Sequence, residues 1–402
     1  MLQHIKNGVG KSQNNFPQLK IAVPIKVANI ILEGRFGGPQ NRILQVAERL
    51  KKYEIETIVI IPKKDSEFFY FKLVEKNISV KRLSLHRLTK HKSHLVGWFL
   101  FFIPELFSLY RYLKKENIRL VHCNTSWQIK GILAGKMARA NIILHLQDTW
   151  TPWMKKMLFN ILARFFCDGF IVAGDKVRQC YLNDKWIEAK KAIEIQAPVD
   201  TSYFNPNHTV KDNIIGNMPG KKITTVGNIN PDKGLEYFIE MAEILNKEYK
   251  NLHFYIIGAF LESQKKYLEK LKRMILGYNL KNIIFYGRSD NIPSVLKAAD
   301  IFVCTSITEA SPMAIWEAMA MEKAIVSTDV GDVKRFIKDG ENGFVVPPRD
   351  AKALAEKVGI LIENESLRIK FGKLARAVAV KELDVAICAD KHRKFYLEVL
   401  GI

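Results

Sequence analysis

Apolar runs of a few residues alternate along most of the chain with stretches whose apolar positions recur every three or four residues, so strands and helices should take turns. In the first half, residues 20–25 (KIAVPI), 55–62 (IETIVIIP), 118–123 (IRLVHC), 142–146 (IILHL) and 169–174 (GFIVAG) read as strands. In the second half the strand segments are 222–227, 253–258, 283–287, 301–306, 324–329 and 343–346. Their hydrophobicity is continuous rather than alternating, as expected of parallel strands covered on both faces. Helices with one apolar face are expected at 41–52, 235–248, 262–276, 292–298 and 350–363. The repeated alternation predicts an α/β protein made of two Rossmann-like halves. A Pro- and Asn-rich stretch, APVDTSYFNPN at 197–207, reads as the linker between them. The expected units are therefore 19–200, 201–384 and a terminal helix at 385–402. Residues 1–18 are polar and expected to be disordered, with no signal-peptide pattern.

One stretch does not fit simple alternation. The basic run KRLSLHRLTKHKSH (81–94) is followed by LVGWFLFFIPELFSLYRYL (95–113). Glu105 and Arg111 interrupt the apolar run and Pro104 breaks it, leaving about ten clean residues, too few to span a bilayer. Two readings stay open: a buried helix of the first half, or an interfacial segment with Trp98 and the residues from Phe99 to Phe102 dipping into lipid beside basic flanks.

Composition sharpens this. With 402 residues, 48% hydrophobic and 26% charged, the chain can build real cores and should divide into two domains. Five cysteines without a CxxC pair or a His/Cys cluster read as reduced thiols of a cytoplasmic protein, with no metal site. The formal net charge is +21. Residues 1–200 hold 33 Lys and Arg against 16 Asp and Glu, an excess of +17, whereas residues 201–402 hold 29 against 25, an excess of +4. A basic half beside a near-neutral one implies an anionic membrane surface, nucleic acid or charged substrate, unless it is only a lysine-rich solvated surface.

Candidate chemistry gathers at strand ends. Gly37 and Gly38 stand just before the helix expected at 41–52, where backbone approaches a phosphate closely. The turn lacks GxGxxG, which argues against a dinucleotide. Lys233 precedes Gly234 at a helix start, a poor place for a cation unless an anion lies beneath it. The stretch 306–332 carries Glu309 in a loop, Ser311 where an N-cap belongs, Pro312 at the first helical position and Glu317 in the second turn of a helix expected at 313–321. Free N–H groups beside two carboxylates suit a phosphate flanked by sugar hydroxyls, although the spacing of two Glu alone decides nothing. Gln147 and Asp148 follow the strand at 142–146, and His145 lies within it.

The run from Glu309 to Ala320 (EASPMAIWEAMA), followed by AIVSTDVGD and DGENGFVVPP, closely resembles the signature of retaining nucleotide-sugar glycosyltransferases of family 4. That resemblance implies the GT-B fold, with the terminal helix crossing back to the first domain. It implies Glu317 on the ribose hydroxyls, Glu309 by the transferred sugar, and Ala310, Ser311, Pro312 and Met313 on sugar and phosphate. It further places Gly37, Gly38 and Lys233 at the diphosphate and Arg288 at the base. The family's usual phosphate-binding Arg is Asn228 here, which removes one bidentate donor. A donor-sugar His of the family falls on Gln147, so His145 or Asp148 becomes the acceptor-side candidate, unless His145 is a core residue. The implied partners are a nucleotide-diphosphate sugar and a glycan or lipid-linked acceptor, with a possible anionic membrane surface, no nucleic acid, no cofactor and no metal. Implied placement is cytoplasmic, at or near the cytoplasmic membrane face. The rival readings are a nucleotide-sugar 2-epimerase of the same fold and a catalytically weak anion- or membrane-binding protein.

Overall fold

The structure is a computed structural model and describes residues 24–87, 92–148, 153–183, 187 and 190–402, with side chains at 92–95 and 153–155 left out. The expected disordered segment 1–18 therefore lies outside the described residues. Two wholly parallel sheets organise the chain. The first contains β1 (Ile25–Ile30), β2 (Ile55–Pro62), β3 (Val80–Leu83), β4 (Leu120–Asn124), β5 (Asn141–Leu146), β6 (Gly169–Val172) and β7 (Lys191–Glu194) in the order β3-β2-β1-β4-β5-β6-β7. The second contains β8 (Lys221–Val226), β9 (Leu252–Ile257), β10 (Ile283–Gly287), β11 (Ile301–Cys304), β12 (Ala324–Thr328) and β13 (Phe344–Val346) in the order β10-β9-β8-β11-β12-β13. Each order reverses direction once, between β1 and β4 and between β8 and β11. At such a switch point the loops leaving adjacent strands diverge and open a crevice beyond the carboxyl ends.

Of the first strand expected at 20–25, residues 20–23 lie outside the described residues; the described strand is IKVANI, paired Ile25↔Ile55 through Ile30↔Ile60. Strands β3 and β7, each of four residues, escape the pattern because a short edge strand carries too few apolar positions.

The aromatic run turns part of its residues inward and leaves part exposed. It forms helices Lys92–Leu100 and Phe102–Lys115. Trp98, Leu106, Leu109 and Leu113 face the core, so Trp98 is not free to enter lipid. Phe99, Leu100, Ile103 and Phe107 face outward, the first two 65% and 70% exposed. Buried Glu105 anchors the pair through an ion pair with the almost wholly buried Lys130, whose ammonium also lies 5.5 Å from the Trp98 ring.

The two halves are joined twice. Residue Val199 donates its N–H to Leu383 and accepts from Val385, each at 3.0 Å, so the outgoing and returning crossings run side by side. Beyond the second crossing the helix Val385–Leu400 packs on the first sheet, burying Cys388, Ala389, Phe395, Tyr396 and Val399 among Val27, Leu120, Ile143 and Ile171. A carboxylate clasp closes the contact: Asp332 accepts from Asp175 N–H at 3.1 Å and from Gln196 Nε2 at 2.6 Å. Gly169 is where the terminal helix comes closest, since a Cβ there would lie 2.9 Å from both Phe395 Cζ and Val399 Cγ2. Gly169→Ala should therefore cost about 1–3 kcal/mol through overpacking, seen as a lower melting temperature. An unchanged melt would mean the terminal helix yields at no cost.

Candidate active site

The loops leaving β1 and β4 face those leaving β8 and β11. In the first half, the loop after β1 ends at Gly37, and the helix Gly38–Leu50 begins with its N–H groups toward the cleft. Gln40 holds that loop by donating to the Glu33 carbonyl at 2.8 Å. In the second half the helix Met313–Ala320 begins opposite, and a Cβ on Gly38 would lie 3.4 Å from Met313 Sδ. Two helix N-termini from different halves thus converge on one volume, an arrangement that favours negative charge between them.

A cavity beside them is lined by Gly227, Lys233, Ser306, Glu309, Pro312 and Ile315. Lys233 reaches it because Gly234 turns the chain with φ +56°, and any Cβ there would lie 2.3 Å from the Thr305 carbonyl. Thr305 Oγ1 donates to the Lys233 carbonyl at 2.8 Å, tying this turn to the loop after β11. The Lys233 ammonium pairs with Glu309 Oε1, which also accepts from Ser306 Oγ at 3.1 Å. Burial works to lower the Lys233 ammonium, but Glu309 beside it outweighs burial and holds it above its ordinary value.

Glu317 stands in contrast. Its carboxylate makes no hydrogen bond or ion pair among the described residues, and burial pushes it up to about 8, with Lys233 drawing it down only in part. Near neutral pH in the empty cleft it is therefore chiefly a neutral acid. Tyr203 of the linker, Lys72 and Asp290 lie close enough for charge interactions at this end.

Other expected residues take more specific places. Ser311 does not cap the helix: Pro312 is the N-cap, and Ser311 Oγ accepts from Ala197 N–H at 3.0 Å and from Trp316 Nε1 at 3.2 Å. Ala310 packs against the core of the first half, and the Gly331 turn lies on its carbonyl. Asn228 is exposed at the mouth of the β8 turn. Arg288 reaches across the cleft, its guanidinium 4.4 Å above the Phe68 ring, and pairs with Asp290 at 3.2 Å. Asp148 is half-buried and accepts from Tyr181 Oη. The neighbouring Thr149 and Trp150 lie outside the described residues.

His145, expected on the acceptor side unless it is a core residue, lies in the core of the first half. Its ring is wholly buried in β5, because the side chain points into the sheet's covered face rather than toward the strand end. Arg42 Nη1 donates to His145 Nε2 at 2.6 Å, His145 Nδ1 meets His122 Nε2 at 3.1 Å, and His122 Nδ1 meets Tyr396 Oη at 2.6 Å. An Arg only donates, so His145 carries its proton on Nδ1 and hands it to His122 Nε2. Burial holds both rings well below the usual imidazole range, and they stay neutral. Ring nitrogens of His122, His145 and His392 lie within 4.8 Å of one another. Arg42 already fills the His145 Nε2 lone pair and sets a cation against the cluster, so the geometry is that of a hydrogen-bond chain. Arg42 was missed by sequence reading; its only signal is a cation in the second turn of a helix whose inward face is otherwise mostly apolar.

Sequence and structure comparisons agree with this architecture. A family profile described as Glycosyltransferase Family 4 matches residues 36–203, and one described as Glycosyl transferases group 1 matches residues 210–378. The UDP-Gal:alpha-D-GlcNAc-diphosphoundecaprenol alpha-1,3-galactosyltransferase of Escherichia coli is 23% identical over 392 residues, covering 94% of this chain and 97% of that protein. An N,N'-diacetylbacillosaminyl-diphospho-undecaprenol alpha-1,3-N-acetylgalactosaminyltransferase of Campylobacter jejuni is 31% identical over 169 residues, 42% of each chain. Among solved structures, a glycosyltransferase from Rickettsia africae superposes with TM-score 0.79 at 19% identity, covering 94% of this chain and 98% of that one. Anabaena HepE in complex with UDP also gives 0.79, at 19% identity and covering 93% and 100%.

The raised Glu317 carboxyl has a consequence for stability. The folded chain keeps this proton up to about pH 8, while the unfolded chain loses it near the ordinary value of 4.5. Stability therefore falls as pH rises through that window, and the penalty stays in full above it. Glu317→Gln, a permanent mimic of the neutral acid, should melt higher than the parent at pH 9 and equal to it below about pH 4. Parallel melting curves at both pH values would show that the side chain is solvated in the folded state.

Proposed function

The chain belongs to the glycosyltransferases of the family 4 type, with their GT-B fold, and from that premise we propose that it moves a hexose from a nucleotide-diphosphate sugar to a hydroxyl of a lipid-linked glycan, with retention of configuration. The observation that carries this reading is the convergence at one cleft of two helix N-termini, the Lys233 ammonium and the unpartnered Glu317 carboxyl. The first three suit a diphosphate and the last suits a ribose diol.

In this reading the donor diphosphate lies between the Gly37–Gly38 turn and the N-terminus of the Met313–Ala320 helix, with Lys233 turned from Glu309 toward a phosphate oxygen. Glu309, freed of the ammonium, accepts from hydroxyls of the transferred sugar. Glu317 ionises and accepts from the ribose hydroxyls, and Arg288 leaves Phe68 to line the base. The bond from the sugar's anomeric carbon to the phosphate oxygen breaks with its electron pair going to the diphosphate. The acceptor oxygen attacks from the same face, and its proton passes to the departing phosphate oxygen. No side-chain nucleophile takes part; the protein supplies position and fixed positive charge. Lys233 and the helix ends supply the stabilisation that a divalent cation gives in other transferases, so this reading needs no metal. Asp148 is the remaining acceptor-side group. A lipid-linked acceptor is favoured because similar proteins act on diphosphoundecaprenol substrates, and these fit a role in polysaccharide or glycolipid synthesis.

Nucleotide binding tests the donor half of this proposal. Titrating the protein with UDP at pH 7 in buffers of different ionisation heat should show release of most of one proton, because Glu317 must ionise to accept from the ribose. Glu317→Gln should abolish that release and weaken binding about tenfold. Binding without proton release, or equal affinity in a folded Glu317→Gln variant, would remove Glu317 from the donor site.

The same reading places the protein on the cytoplasmic face of an anionic membrane, where lipid-linked acceptors are held. The apolar face of Val96, Phe99, Leu100, Ile103 and Phe107 and the exposed Met157, Ile161 and Phe165 of helix Trp153–Phe166 support it. No helix among the described residues is long and apolar enough to cross a membrane. Part of the neighbouring basic run is already paired: Arg82 with Glu67, Arg87 with Glu33 and Lys81 over Tyr112. Aromatic insertion, rather than charge alone, should then supply most of the attachment. Replacing Phe99, Leu100, Ile103 and Phe107 together by Ser should abolish co-sedimentation with phosphatidylglycerol vesicles at high salt. Retention of binding by that variant would show the patch is not the membrane contact.

A further inference from the structure

Arg42 is 4% exposed, yet it forms no ion pair with any carboxylate among the described residues. Each contact of its guanidinium is to a neutral acceptor. Nη1 donates to His145 Nε2 at 2.6 Å and Nη2 to Asn124 Oδ1 at 2.6 Å. With its carbonyl turned to face Arg42, Gln147 accepts from both nitrogens, at 2.9 and 3.2 Å. Asn124 is held in turn by donating to Asn29 Oδ1 at 2.6 Å. Burial lowers the guanidinium to about 10, which leaves it charged at neutral pH. A buried charge without a counter-ion is costly even when its hydrogen bonds are satisfied. A neutral residue in this place would avoid that cost.

Position explains the charge. Arg42 lies four residues after Gly38, one turn along the same helix and about 6 Å farther down its axis. Helical side chains lean back over the turn that precedes them, so the guanidinium lies beneath the Gly37–Gly38 end rather than away from it. Gln147 stands beside it at the carboxyl end of β5, again toward the cleft. The cation is thus fixed under the floor of the cleft by a set of rigid, neutral partners. On the opposite wall the family's second phosphate-binding cation is replaced by the exposed Asn228.

We propose that Arg42 is a positioning and electrostatic residue for the donor diphosphate: held out of contact in the floor of the cleft, it supplies the positive charge that Asn228 does not. This rests on the donor site proposed above. A point charge acting through protein rather than through a hydrogen bond should favour the doubly charged group without reading the base or the sugar. Its counter-ion is then the substrate itself, which accounts for the lack of a carboxylate beside it.

The experiment compares binding of UDP and of uridine to the full chain, by calorimetry and by saturation-transfer NMR. Arg42→Gln should weaken UDP about tenfold and leave uridine within about twofold, because only the phosphates feel the charge. Adding Asn228→Arg to that variant should recover most of the loss. Equal weakening of both ligands would reduce Arg42 to a structural role, and unchanged UDP affinity in a folded variant would overturn the proposal outright. Where Arg42→Gln does not fold, Arg42→Lys serves, since a buried lysine loses its charge readily with rising pH. Its UDP affinity, relative to the parent, should fall about tenfold between pH 6 and pH 9, and parallel profiles would overturn the proposal. If the parent itself binds neither UDP nor other nucleoside diphosphates, the donor site fails first, and the two failures are told apart.

Discussion

In a parallel sheet every strand ends at the same edge, so every loop that follows a strand gathers there. The two sheets of this chain turn those edges toward each other, and nearly all of its candidate chemistry depends on that constraint. Glycines at 37 and 38, Lys233, and Glu309 with the start of the Met313–Ala320 helix belong to three separate segments, each leaving the end of a strand. What keeps the edges opposed is modest in size: the paired crossings at Val199 and Leu383–Val385, the Asp332 clasp on the Asp175 helix, and the terminal helix returning to the first sheet. Contacts such as Arg288 on Phe68 and Ser311 on Ala197 tie the walls of the cleft together.

The electrostatics of the cleft follow from burial. Glu309 shares the Lys233 site and holds the ammonium above its ordinary value against burial. Glu317 and Arg42 are opposite cases. The carboxyl has no partner among the described residues and answers by holding its proton; the guanidinium keeps its charge at neutral pH and is satisfied by neutral acceptors instead.

The first domain solves a different problem. Its aromatic run must attach to a core and still present apolar surface outward. Lys130 and Glu105 achieve this, because a buried ion pair roofed by Trp98 fixes the helix pair at one angle. Phe99 and Leu100 then have no direction left but outward. Two helices divide the run residue by residue, part turned to the core and part outward.

Much was legible in the sequence because it depends on short-range pattern. Continuous apolar runs specify buried parallel strands, and most fell within a residue or two of their places. Glycines and the Glu309–Glu317 stretch marked the cleft through local stereochemistry, since phosphate-binding turns need bare backbone wherever the chain comes from. Pattern was silent where long-range pairing decides. The described first strand extends to Ile30 because its pairing with β2 runs from Ile25↔Ile55 to Ile30↔Ile60, which the local pattern did not fix. Ser311 has the chemistry of a cap but bonds the linker, because Ala197 approaches it from 114 residues away. His145 and Arg42 meet only in the fold. In one dimension the histidine stands next to the cleft turn and the arginine is an ordinary polar residue of a surface helix. In three dimensions the strand's twist and the helix packed on it bury both, and the arginine, without an acid to answer it, becomes the charge beneath the cleft. Sequence alone determines which groups a chain possesses and which local shapes they favour. Tertiary structure decides which of them are left unpaired, because a charge is compensated only by groups that folding brings within reach.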